Sequence, residues 1–355
     1  MLQQIPVPTT EAGSRTGAGA LEHILVLLEA GAVPFCHYEN PRFHQNAASR
    51  WIAPSLLKAL IDIAVADGIA LSVLLGKTRP PRDLETLLAR VPHVKIVPLE
   101  LSDAYPGAIV VVSSDERARF SDLKPDRARN LILRLSRADL ADASRMFNAL
   151  EDKYGRLSIH LTDIENIGDT DLAAYAAELD IIAARLKKMY AAGRRIEVNV
   201  LTDRMMMTTM RNCDAGQTHV TLAPDGRFFI CPAFFHYGEP AIGEFGGTTI
   251  AVNPPGTVAF SRAPLCTRCD AWHCKRCVWL NQALTGEYNV PSEQQCAIAH
   301  AEREAARRAL KSFGDIAPFG RLPRITELNY RDPLDLIDMP AVSFPGQSPD
   351  DDPML

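Results

Sequence analysis

Seven of the eight cysteines of this 355-residue chain fall between residues 213 and 296, and their order constrains the C-terminal third more tightly than any apolar pattern does. They are Cys213, Cys231, Cys266, Cys269, Cys274, Cys277 and Cys296; the eighth, Cys36, stands alone near the other end. Twelve residues separate Cys213 from Gly226 and four more lead to Cys231, after which Cys-x2-Cys-x4-Cys-x2-Cys spans 266–277. A Cys-x2-Cys bend delivers two sulfurs to one centre at little loop-closure cost, so two such bends four residues apart point to metal ligation. No basic leader with an apolar stretch opens the sequence, and no apolar run approaches the ~20 residues of a membrane helix. A reducing, cytoplasmic setting is therefore expected, in which thiolates serve as ligands and a disulfide framework does not form.

Four cysteines within twelve residues can hold an all-thiolate zinc. They can equally contribute to iron-sulfur clusters, as in the ferredoxin run whose fourth cysteine reaches a different cluster. A single zinc strands three thiolates, whereas two cubanes use four plus three. Zinc tolerates altered spacing, so a zinc-stabilised peptide- or protein-binding module without a redox role is the alternative. Ser292 and Gln295 form a capping-box pattern, which places Cys296 in the first turn of a helix running to Phe313 and stopping at Gly314. The positive end of that helix favours a thiolate there. Lys275 and Arg276, between two candidate ligands, either offset cluster charge or form a solvated basic bend.

The N-terminal two thirds alternate between strand-length apolar runs and helical stripes. Residues 23–28, 71–75, 94–97, 108–112, 130–135, 157–161 and 196–201 read as strands, the apolar continuity of most of them being the mark of burial on both faces. Helices follow at Pro54 to Gly68, at Leu84 to Leu88, from a cap near Ser136, and from Asp169 or Thr170 to Ala192. This predicts an α/β fold with a parallel sheet, open or curled into a partial barrel. Thr218–Leu222 and Phe228–Ile230, around Pro224-Asp225-Gly226, read as a hairpin that draws Cys213 and Cys231 together. Met205, Met206, Met207 and Met210 read as core filler. With 38 basic and 43 acidic residues, the chain has no footprint for nucleic acid. No nucleophile-base-acid set, Walker loop or dinucleotide fingerprint appears in it.

The cysteine pattern resembles the SPASM domain that follows the barrel of radical SAM peptide-modifying enzymes, although two gaps of the central run are each one residue shorter than usual. Residues 199–204, Cys213-Asp214-Ala215-Gly216 and Ile230-Cys231-Pro232-Ala233-Phe234 are similar to the CXXX-repeat peptide maturases. The resemblance implies a TIM-like partial (β/α) barrel over 21–204 and a SPASM-like iron-sulfur domain over 205–314. A disordered arm over 1–20 and a Pro-rich acidic tail over 315–355 flank them. It implies one [4Fe-4S] cluster on Cys266, Cys269, Cys274 and Cys296. A second, on Cys213, Cys231 and Cys277, has a fourth position left to an exogenous or substrate ligand, or to His219.

The same resemblance exposes what is missing. The loop after the first strand, where radical SAM enzymes carry Cys-x3-Cys-x2-Cys, reads Phe35-Cys36-His37-Tyr38-Glu39-Asn40, and Gly76-Lys77-Thr78 stands in place of a Gly-Gly-Glu element. Productive S-adenosylmethionine binding is therefore not expected, and Cys36 reads as a small buried residue more than as a ligand. His37 to Asn40 either line a peptide groove or satisfy loop backbone. Together these losses imply a pseudoenzyme. It would be an accessory subunit beside a radical SAM catalytic partner, acting on a ribosomally made Cys-repeat precursor peptide, with thioether crosslinking as the chemistry.

Overall fold

The computed structural model describes residues 21–44, 50–210 and 213–327. The arm expected over 1–20, and the part of the tail beyond residue 327, lie outside these residues.

Seven strands follow one another in parallel: β1 (His23–Leu27), β2 (Ala70–Leu74), β3 (Val94–Pro98), β4 (Ile109–Ser113), β5 (Asn130–Leu135), β6 (Arg156–Leu161) and β7 (Glu197–Val198). Helices α1 (Pro54–Asp67), α2 (Arg82–Leu88), α3 (Ala143–Leu150) and α4 (Asp169–Ala191) cross between them. In α1, Pro54 occupies the first turn, Leu57, Leu60, Ile61 and Ala64 are buried, and Gly68 at φ +70° ends the helix. Each such fully buried leucine contributes about 1.5–3 kcal/mol over its exposed state.

The continuous apolar runs reflect two buried faces. Ile24, Val26, Val73, Val110, Leu131 and Leu133 join one apolar cluster with residues of the helices. Leu27, Leu74, Ile96, Val111 and Ile132, their alternates, join a second cluster with Phe229, Ile230, Phe234 and Val278 from the cysteine-rich part. One face of the sheet thus carries the helical layer, and the other meets Phe229, Ile230, Phe234 and Val278 of the cysteine-rich part.

The sheet curls. His37, just past β1, donates from Nδ1 to the carbonyl of Leu161 at the end of β6, 2.8 Å away, although four strands separate β1 from β6. Arg134 of β5 reaches the same loop, donating to Tyr38 O at 2.8 Å and pairing with Glu39 at 2.5 Å.

The last strand is shorter than the six residues expected. Asn199 offers its side chain to β6 in place of backbone, accepting from Ile159 N at 2.8 Å and donating to Ile159 O at 3.0 Å. Thr202 Oγ1 meanwhile takes up both backbone groups of Val198. The chain therefore leaves the sheet through a wide helical turn over Asn199–Asp203 into α5 (Arg204–Met206). Of the methionines read as core filler, only Met205 is core; Met206 is 48% exposed.

The hairpin forms as β8 (His219–Leu222) and β9 (Arg227–Phe229), turning at Gly226 with φ +88°. β8 also pairs in parallel with β1, His23 opposite His219, so the hairpin continues the barrel sheet. α6 (Pro232–His236), β10 (Gly243–Phe245), β11 (Ile250–Val252) and α7 (Val278–Thr285) follow. The order across the sheet is β11-β10-β9-β8-β1-β2-β3-β4-β5-β6-β7. α8 (Glu293–Phe313) starts where expected, Ser292 Oγ accepting from Gln295 N at 3.3 Å. It runs beside α4 in the same direction, linked by Tyr175 to Glu302, Arg308 to Asp180 and Lys187 to Ser312. Alanines 305, 306 and 309 on its buried face allow the close approach. No described helix is long and apolar enough to cross a membrane.

Candidate metal centre

The thiols fall into two groups by the charges they feel. Cys266 is pushed up to about 12, first by desolvation and then by Cys269, and Cys274 is raised by burial and by both of these neighbours. Cys277 is likewise pushed up to about 12 by desolvation and then by Cys213, while burial, Cys277, Cys213 and Cys36 together raise Cys231 well above its ordinary value. Cys213 lies at the rim: the residue is exposed, and its thiol is still raised by desolvation. Sulfurs so crowded ionise readily only when a cation joins them, as metal ligation provides. An all-thiol donor set suits an iron-sulfur cluster or a thiolate-bound zinc. Among the described residues, no three His, Cys, Asp or Glu side chains close on a single metal-ion position.

The first group is held by a buried ionic clamp. Asp270 follows Cys269 directly and receives Arg303 at 2.5 and 2.6 Å and Arg204 at 3.0 Å. Burial alone would raise its carboxyl, but the two guanidiniums hold it below the usual carboxylate range. Three residues on, His273 Nε2 lies 3.0 Å from Glu302, whose other oxygen accepts from Tyr175. The loop carrying Cys269 and Cys274 is thereby fixed to α8 and α4. Cys296 sits in the first turn of α8, one turn before His300 and so on the same helix face. His300 Nε2 is 3.6 Å from Cys269 Sγ, which brings that face to the first group.

Arg276 is not the solvated bend that was one of its two readings. It is 2% exposed, adopts φ +44°, donates to Asn289 and to Val258 O, and stands over the Phe260 ring. Its charge lowers the thiols of Cys213, Cys266 and Cys277, so this one cation serves both groups.

Cys36 is half-buried, and its thiol is raised by desolvation first and then by Cys277 and Cys213, with Arg134 opposing them. His219, a candidate for the fourth position, donates from Nδ1 to the carbonyl of Cys213 at 2.7 Å and packs edge-on to His23 at 4.9 Å. It secures the Cys213 segment.

The loop after β1 divides its labour. Asn40 is 1% exposed and staples backbone through Ala32 O at 2.6 Å, and buried Tyr38 stacks on His236 at 5.6 Å. His37 stacks on His160 at 5.6 Å and lines, with Asn199, Cys274, Cys277 and Glu302, a cavity of about 60 Å3 between the barrel mouth and the cysteine loops. Glu39 borders a larger cavity of about 230 Å3 at the carboxyl ends of β3 to β6, with Ser114, Glu116, Arg134 and Thr162. Gly76 closes against Glu29, which accepts its backbone N–H at 2.9 Å.

No family model and no curated protein matches the chain. Solved structures do. Native anSMEcpe with bound AdoMet and Cp18Cys peptide aligns over 83% of this chain and 100% of its own, with 11% identity and a TM-score of 0.55. Native anSMEcpe with bound AdoMet aligns over the same shares at 10% identity and a TM-score of 0.52. SuiB of Streptococcus suis bound to precursor peptide SuiA is a more distant likeness, at 11% identity, 78% and 76% coverage and a TM-score of 0.45. The chain accordingly has the radical-SAM-like α/β fold with a cysteine-rich C-terminal region.

Proposed function

We propose that this chain is a SPASM-type iron-sulfur subunit. It works beside a complete radical SAM enzyme to mature a ribosomally made Cys-repeat peptide, and the linkage formed is a thioether. One observation carries the reading. Seven cysteines stand in the C-terminal third, Cys231 among them packed against a barrel of this fold, while the loop after its first strand brings a single thiol. In this reading Cys266, Cys269, Cys274 and Cys296 hold one [4Fe-4S] cluster, and Cys213, Cys231 and Cys277 belong to the other. Bound clusters supply one-electron redox capacity.

The chain's own residues supply position and charge. Asp270 and His273 fix the thiol loops, Arg276 offsets thiolate charge, and the cavity bordered by Glu39, Ser114 and Arg134 offers the peptide polar partners at the barrel mouth. The likeness to structures holding AdoMet and a peptide supports a peptide as the partner. Thioether formation removes the thiol hydrogen and one carbon-bound hydrogen from the peptide, with the partner's S-adenosylmethionine as the oxidant.

The test is co-expression of this chain, a radical SAM partner and the candidate peptide, read by peptide mass. Loss of hydrogen at each crosslink only when both proteins are present is the expected result. Equal product without this chain would overturn the proposal.

A further inference from the structure

The loop after β1 passes into the cysteine-rich region. Val33 and Phe35, just before Cys36, belong to the same apolar cluster as Ala215, Ile230, Cys231 and Val278. Those four lie within two residues of Cys213, of Cys231 or of Cys277, or are Cys231 itself. Just after Cys36, Tyr38 stacks on His236 of α6, the helix that Cys231 begins, and His37 shares a small cavity with Cys277. Arg134 donates to the Cys36 carbonyl at 3.3 Å and fixes the backbone on the far side. Residues on both flanks of Cys36 thus share a cluster, a ring contact or a cavity with the segments that carry Cys213, Cys231 and Cys277.

We propose that Cys36 is the fourth thiolate of the site formed by Cys213, Cys231 and Cys277, so that this cluster is ligated wholly by protein sulfur. The mutual influence of the four thiol charges agrees with that placement. His219 holds the Cys213 segment through its Nδ1 hydrogen bond to Cys213 O. The consequence is functional. A cluster with four protein thiolates has no open iron, so it passes electrons or braces the barrel mouth and does not bind the peptide's sulfur. The single cysteine of the AdoMet-type loop becomes a tie between barrel and cysteine domain.

The inference rests on the iron-sulfur reading, and the experiment separates the two. Full-length wild type, Cys36→Ala and the near-isosteric Cys36→Ser are purified without oxygen. Iron, labile sulfide and the EPR spectrum of the reduced protein are then measured. A Cys266→Ala background removes the other cluster's signal. The expected result is that Cys36→Ala loses about one to four irons per chain, through a three-iron form or loss of the cluster. Cys36→Ser, folded by circular dichroism, should keep iron but show shifted EPR features and reduction potential. Variants with wild-type iron and spectra would overturn the assignment of Cys36 while leaving the clusters standing. A wild type without iron and sulfide would overturn both readings.

Discussion

Arg303 and Asp270 form a two-point pair inside the protein, Nε to Oδ1 at 2.5 Å and Nη2 to Oδ2 at 2.6 Å, with the arginine side chain only 1% exposed. Arg204 shares the same carboxylate. Asp270→Asn takes the shared carboxylate charge from Arg204 and leaves Arg303 paired with Glu304, a break in a buried pair that costs roughly 3–5 kcal/mol. Urea unfolding should show that loss. Asp180→Ala, at the half-exposed pair with Arg308, should cost under about 1 kcal/mol. Similar losses in the two variants would show that the clamp does not hold the loop.

Gly76 admits no side chain. A Cβ there would lie 2.7 Å from Gly31 O and closer still to Glu29 Oε1. Gly76→Ala must displace either a buried carboxylate or backbone, and overpacking of this kind costs typically about 1–3 kcal/mol. Thermal unfolding of the variant checks it. An unchanged melting temperature would mean that the loop after β1 yields freely.

Acid should weaken the fold through histidines kept neutral. Desolvation lowers His236 to about 3, and desolvation with His219 lowers His23 to about 4. Both native values lie below the unfolded one, so as pH falls through the unfolded pKa the unfolded chain takes up protons that the native chain refuses. Stability is then full above about pH 7 and declines from about pH 6.5 towards 3, by at most about 1.4 kcal/mol per pH unit for His236. His236→Phe keeps a ring against Tyr38 and should flatten that acid limb in a series of melting curves. An acid limb as steep as wild type's would contradict the assignment.

Local pattern carried much of the fold into view. The apolar runs at 23–28 and 130–135, the stops at Gly68 and Gly193, and the Ser292 cap each declare themselves within a few residues. Long-range pairing was hidden. Nothing in His219–Leu222 says that it lies parallel to β1, since its alternation suits any neighbour. The early end of β7 was equally hidden, because Asn199 and Thr202 satisfy the ladder with side chains. The same division holds at the candidate centre. Cys-x2-Cys spacing announces itself, whereas Arg134 meets the loop that carries Cys36 only through the curl of the sheet.

The iron-sulfur reading stands or falls on iron and acid-labile sulfide, measured in the full-length protein purified without oxygen. Two four-iron clusters predict a brown protein with about eight irons and equal sulfide per chain. A colourless protein with stoichiometric zinc and no sulfide would contradict that reading and leave a zinc-stabilised binding module in its place.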